Sequence, residues 1–157
     1  MNAPQAAPRR EYTVATTRFY PVPRERVFEC WTRAEHIAHW FAPNGFTLHS
    51  CEADPRAGGV FRLCMRAPDG DEYWVHGTYR EVVRPERLVI DCRAHDEQGV
   101  ERLDEVIQVT FTSVQNGTKL TLNAVAGGSG KEAARMLAGM EQGWSETLDR
   151  LGNRARG

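Results

Sequence analysis

From residue 45 to residue 126 apolar side chains recur at every second position, and only tight turns separate the runs. No other feature of the chain restricts its fold as much. A period of two means extended strands with one buried face. Parallel neighbours would need crossovers of a dozen or more residues, so strands linked this closely pair antiparallel. Phe46, Leu48 and Ser50 begin the first run. The turn Asp54-Pro55-Arg56-Ala57-Gly58-Gly59 leads into a second, where Phe61, Leu63 and Met65 alternate. Pro68-Asp69-Gly70 closes it with strong turn residues. Residues 73–83, 87–93, 106–114 and 119–125 supply four more strands. The last two meet at Asn116-Gly117, a pair suited to the left-handed conformations of a hairpin turn.

The flanks have other periods. Residues 11–20 are rich in β-branched and aromatic types and read as a first strand, with Tyr12, Val14, Thr16, Arg18 and Tyr20 on one face. Pro21 and Pro23 end it. Val27, Phe28 and Trp31, then Ile37, Trp40 and Phe41, recur at helical spacing. These predict two short helices, broken near Thr32 and ended by Pro43. At the other end Leu137, Met140, Trp144, Leu148 and Leu151 form an apolar stripe. Ser129 and Glu132 have the spacing of a capping box. One helix of about twenty residues, about 30 Å long, would lie across the whole sheet. The predicted fold class is therefore α+β: a curved, seven-stranded antiparallel sheet around a long C-terminal helix, with two short helices after strand 1. It is predicted as one domain over residues 11–152, with tails at 1–10 and 153–157.

A chain of 157 residues can bury one real core. The net charge of −1, without any basic run, gives nucleic acid or an anionic membrane no broad field to follow, so neither is an expected partner. No window has the length of a transmembrane helix, and the Ala/Pro-rich first ten residues lack the apolar stretch of a signal peptide. A cytoplasmic location is expected. Cys30, Cys51, Cys64 and Cys92 form no C-x-x-C pair and read as reduced, mostly buried thiols.

Several segments resemble one family in order. VFECWTRAEHIAHWFAP is similar to the pattern V-(W/F)-x-x-(W/L)-T-x-x-x-x-(L/I)-x-x-W-(W/F)-x-P of the family named after the C-terminal domain of the activator of the 90-kDa heat-shock protein's ATPase. DPRAGGVFRLCM resembles its D-x-R-x-G-G-x-(F/W) turn. DGDEYWVHGTYREVVRPERLVI, NGTKLTLNA and the closing GWSETLDRL follow the same family, so the resemblance covers residues 12–151. It implies the helix-grip fold of the START-like (SRPBCC) superfamily, which includes the birch-pollen allergens and polyketide cyclases. It also implies the superfamily's habit of holding an apolar ligand between sheet and helix. Small stand-alone members lack the separate N-terminal domain that would contact the chaperone, so a chaperone partner is not expected.

Motif chemistry narrows the options. His36 and His39 lie three apart on a helix, but a pair fixes neither ligand number nor geometry, even with His49 or Cys51 added, so no metal is expected. GGSGKE is not a phosphate loop. Val125 stands where the first glycine should be and Glu132 replaces the hydroxyl residue, and no cofactor is expected. No G-x-S-x-G elbow is present. The leading expectation is a protein that binds a small apolar or aromatic molecule. Its pocket residues would be Trp40, Phe41, Phe61, Leu63, Met65, Trp74, His76, Leu137, Met140 and Trp144, with access near the two short helices and the glycines at 127–130. The alternative is a cyclase- or dehydratase-like enzyme, with His76, Glu81 or Arg18 as strand-borne polar groups reaching the pocket. A third is a module that binds a chaperone or regulatory partner. Self-association as a homodimer, through a sheet edge or the Trp74 region, is compatible with the pattern, which sets no subunit number.

Overall fold

In the computed structural model, which describes residues 8–157, the alternation becomes one antiparallel sheet. Its strands are β1 (Arg9–Tyr20), β2 (Thr47–Ala53), β3 (Val60–Arg66), β4 (Glu72–Val83), β5 (Arg87–His95), β6 (Glu101–Val114) and β7 (Gly117–Ser129). They stand in the order β1-β7-β6-β5-β4-β3-β2. Every neighbour from β2 to β7 is also a neighbour in sequence, as short turns require. β1 and β2 form opposite edges, so the chain between them must cross the full width of the sheet. α1 (Arg24–Thr32) and α2 (Ala34–Trp40) make that crossing.

The pairing slips at three places: between Leu48 and Ser50, between Tyr79 and Glu81, and between Ala94 and His95. Such bulges bend a strand and increase its twist. Gly77 belongs with them. A Cβ there would lie 2.5 Å from the Asp91 carbonyl oxygen and 2.7 Å from Cys92 Cβ, so only glycine lets β4 and β5 come this close. The concave face is filled by Phe61, Leu63, Tyr79, Leu88, Ile90, Ile107, Val109 and Phe111, and the helices pack onto them through Phe28, Trp31, Ile37, Trp40, Leu148 and Leu151. Tyr79 donates its hydroxyl to the Trp31 carbonyl (3.0 Å), and Tyr20 donates to that of Leu148 (2.8 Å), so both buried phenols are satisfied.

The ends of elements depart from the sequence reading. The expected single C-terminal helix is two, α3 (Gly130–Ala138) and α4 (Met140–Arg156), divided at Gly139, the residue with least to gain from staying helical. The capping box does not form. The Ser129 side chain makes no cap bond, and Glu132 binds Arg135 three residues on. The expected tail at 153–157 is the last turn of α4 as far as Arg156, and Arg9 and Arg10 already pair with Ser129 and Gly128; residues 1–7 of the expected N-terminal tail lie outside the described residues. In the β6–β7 hairpin Val114 pairs with Gly117, so Gln115 and Asn116 form the loop, with Asn116 left-handed at φ 67°. Gly117 is needed for another reason: a Cβ there would sit 2.2 Å from the Tyr20 carbonyl oxygen.

Candidate ligand cavity

The side chains do not fill the concave face completely. Where α3 and α4 pass over the ends of β6 and β7, a cavity of about 640 Å³ remains. Leu103, Glu105 and Ala126 form its floor on the sheet. Met136, Met140 and Trp144 come from the helices, and Met65 and Tyr73 from β3 and β4. Phe41 to Phe46, the segment that follows α2, supplies another wall, held to α4 by Arg150, which donates to the carbonyls of Ala42 (2.9 Å) and Pro43 (3.2 Å). Asn44, Asp69, Arg135 and Gln142 are exposed at the rim.

Trp144 is the pivot of the site. Its position in the apolar stripe of α4 turns it onto the sheet, where it is 7% exposed. Its ring stacks on Trp31 with centroids 6.3 Å apart and meets the edge of Phe41 at 5.9 Å. Its indole Nε1–H donates to Glu105 Oε2 at 3.1 Å. Glu105 stands on the concave face between Cys92 of β5 and Ala126 of β7. What surface it retains faces the cavity. Burial disfavours its charged form and pushes its pKa up to about 7, against a smaller opposing effect of the Trp144 N–H. The thiol of Cys92 beside it is held well above its ordinary value by burial, then by the nearby carboxylates, and stays protonated.

Of the ten residues expected in a pocket, Phe41, Met65, Met140 and Trp144 do line this one. Trp40, Phe61 and Leu63 belong instead to the solid core, with Trp40 donating to the Cys30 carbonyl at 2.8 Å. Leu137 is buried under α3, outside the cavity wall. Trp74 and His76 are on the opposite, convex face. Strand parity turns Val75, Gly77 and Tyr79 inward, so the even positions face out. There Arg62 lies over Trp74 (5.0 Å), Trp74 stacks on His76 (5.9 Å), and His76 meets His95 (5.3 Å).

The three polar candidates all miss the cavity. His76 is exposed, as just described. By plain alternation Glu81 would follow Tyr79 inward, but the bulge at Arg80 turns Val82 in and leaves Glu81 paired with Arg87 at 3.2 Å. Arg18 reaches over the edge of the sheet to Asp149 (2.5 Å) and to the carbonyl and hydroxyl of Ser145 (3.1 Å each). His36 and His39 do not converge. His36 is buried, accepts from Arg154 Nε at Nδ1 (3.0 Å) and has Arg26 3.4 Å from Nε2, while His39 is exposed. Access to the cavity is bounded by residues 42–46, the β3–β4 turn and the helix break at Gly139, rather than by residues 127–130.

The residue that sequence reasoning missed is Glu105. The sequence predicts β6 only from residue 106, because ERLDE has no β character. Pairing with β5 extends the strand to Glu101 all the same, and β7 pairs it on the other side from Asp104 on. A signal was present: Leu103, Glu105, Ile107, Val109 and Phe111 share one parity, so an acid stands in a row of apolar residues.

A curved antiparallel sheet closed by a C-terminal helical pair over an apolar cavity defines a helix-grip α+β protein. The family model described as activator of Hsp90 ATPase homolog 1-like protein matches residues 21–155, and the chain belongs to that family. Among solved structures, a Chromobacterium violaceum protein is 25% identical with a TM-score of 0.72, covering 92% of this chain and 97% of its own. An uncharacterised Rhizobium leguminosarum protein reaches a TM-score of 0.82 at 21% identity, covering 97% and 99%. The AHSA1 protein of Silicibacter pomeroyi has a TM-score of 0.75 at 19% identity, covering 90% and 96%. No curated protein matches the chain. No helix among the described residues is long and apolar enough to cross a membrane.

Proposed function

We propose that the protein binds a small, largely apolar molecule in the cavity between the sheet and α3–α4. The observation that carries this reading is the cavity itself. A volume of about 640 Å³ lies within the range of roughly 300–1,000 Å³ usual for small-molecule sites. Three methionines and four aromatic side chains are the largest apolar groups of its walls and adapt to apolar shapes, and the hydrogen-bonded pair of Glu105 with Trp144 supplies orientation at the floor. A neutral dye that brightens in apolar surroundings, N-phenylnaphthylamine, tests it. The wild-type protein should enhance its emission saturably. Ala126→Phe, which fills the floor, should abolish the enhancement while the protein still melts cooperatively. Unchanged dye binding by that variant would put the site elsewhere.

A second reading, an acid–base enzyme of the cyclase or dehydratase kind, draws on Glu105 alone. A carboxyl that titrates near neutrality can both give and take a proton at working pH. Its mark would be turnover of a bound carbonyl compound that Glu105→Gln removes while leaving dye binding intact.

A further inference from the structure

Glu105 is a half-buried acid, shielded from bulk water by α4 but open to the cavity, without a basic partner. Its one hydrogen-bond partner is the neutral indole of Trp144, and among the described residues no Arg, Lys or His side chain bonds to it. Buried carboxylates are ordinarily paired with a cation or held by several donors. The other charged side chains lining the cavity are Asp69, Glu146 and Arg135. Arg135 is already bound to Glu132, outside the cavity wall. Glu146 accepts the Asn44 backbone N–H (3.2 Å) and the Gln142 amide (3.4 Å), neither of which cancels its charge. Asp69 is exposed and, among the described residues, accepts only the backbone N–H of Asp71 (2.9 Å). Three acids thus face one base that is itself engaged, and the low-dielectric walls sharpen the resulting negative potential.

We propose that the ligand is an apolar molecule carrying one ammonium group, which enters past Asp69 and Glu146 and takes Glu105 as its counter-ion. This rests on the binding reading above and names the ligand class for that same site. Trp144 occupies Glu105 Oε2, and Oε1 is left for the ligand. The rings of Phe41 and Tyr73 line the cavity, and aromatic rings attract a cationic nitrogen and the carbon atoms next to it. The bound ammonium replaces the proton on Glu105, which passes to solvent, so the buried site gains no net charge. A ligand carboxylate has the opposite fate: it meets the like charges of Asp69 and Glu146 and finds no free base. A neutral alcohol or ketone uses one hydrogen bond and gains nothing from the potential.

The test is displacement of N-phenylnaphthylamine by a matched set, phenylbutylamine, phenylbutanol, phenylbutanone and phenylbutanoate, at low salt. The amine should bind about tenfold more tightly than the alcohol or ketone, and the carboxylate most weakly; tenfold corresponds to about 1.4 kcal/mol. Glu105→Gln should bring the amine within about threefold of the alcohol and weaken the amine far more than the alcohol, since the replacement keeps shape and removes the charge. Asp69→Asn, an exposed rim change, should weaken the amine less than Glu105→Gln does. An alcohol or ketone that binds as tightly as the amine overturns the proposal, as does an amine preference that survives Glu105→Gln. Either result leaves the binding reading standing. If neither the dye nor any member of the set binds, that reading fails and the proposal fails with it.

Discussion

Glu105→Gln should make the protein more stable at pH 8 and change nothing at pH 4. In the folded chain burial raises the Glu105 carboxyl from the ordinary 4.5 to about 7. The folded state therefore holds a proton that the unfolded state releases. Stability follows the difference in bound protons, so this residue makes stability fall as pH rises from about 4.5, until the folded carboxyl has also ionised near pH 7. At 1.36 kcal/mol per pH unit the loss amounts to about 3 kcal/mol, fully present above pH 7 and absent below 4.5. Glutamine is the same size, keeps a carbonyl oxygen to accept the Trp144 N–H, and does not ionise. Because Glu105 keeps some surface toward the cavity, the variant should gain at most about 3 kcal/mol over wild type at alkaline pH, an increase in Tm of at most roughly 6–12 °C for a domain of this size. Urea melts followed by tryptophan emission at several pH values give the difference directly, and other titrating groups cancel in the comparison. A difference that does not vary with pH, or a variant less stable than wild type at pH 8, would refute the claim that Glu105 is buried without a charge partner.

Three further outcomes follow from the packing. Arg154→Met should raise the pKa of His36, which burial lowers first and the charges of Arg154 and Arg26 lower further; the imidazole Cε1–H shift in an NMR titration reads it, and an unchanged or lower midpoint would contradict the arrangement. Gly77→Ala should destabilise by about 1–3 kcal/mol in a thermal melt, because its methyl group meets the backbone of β5 rather than a side chain that can swing away. Replacing Arg18, His76 and Glu81 together by Ala should leave dye affinity within about twofold of wild type, since none of them lines the cavity, and most of any stability cost should come from part-buried Arg18, because the ion pairs of Arg18 and Glu81 have exposed partners and such pairs contribute about 0–1 kcal/mol. A large loss of affinity would place at least one of them in the site after all.

The frame of the fold was legible because each of its parts has a local cause. Period-two runs, short turns and the stripe from Leu137 to Leu151 are enough for an antiparallel sheet with a helical cover. The cavity depends on the events that interrupt those periods. Alternation carried past Tyr79 puts Glu81 inside, and one extra residue at Arg80 reverses it. The helical stripe carries straight through Gly139, yet the helix stops there and restarts. The charged start of β6 has no strand propensity and becomes a strand because β5 on one side and, from Asp104 on, β7 on the other offer backbone partners. Bulges, helix breaks and pairing of that kind are decided by tertiary contacts, and so the walls were read only in part, through Phe41, Met65, Met140 and Trp144.

The same contacts explain why there is a cavity at all. Large rings from α1, α2 and the middle strands interlock: Phe28 with Phe111, Trp31 with Trp40, and Phe61 with Tyr79. That chain of rings ends at Phe41 and Trp144. Beyond them the floor offers only Leu103, Glu105 and Ala126, too little volume to meet α3 and the start of α4. One leucine, one alanine and a carboxyl cannot close the gap, because α4 is already held to the core through Leu148 and Leu151. Phe41 and Trp144 are therefore at once the last residues of the core and the first of the cavity wall. A ligand that packs on Trp144 presses on a ring stacked against Trp31, so binding should stabilise the fold as well as fill the space. Trp144→Ala would remove core and site together, at a cost of about 3–5 kcal/mol. Trp144→Phe separates them better: it keeps a ring against Trp31 and Phe41, and deletes the N–H that Glu105 accepts together with part of the indole's volume.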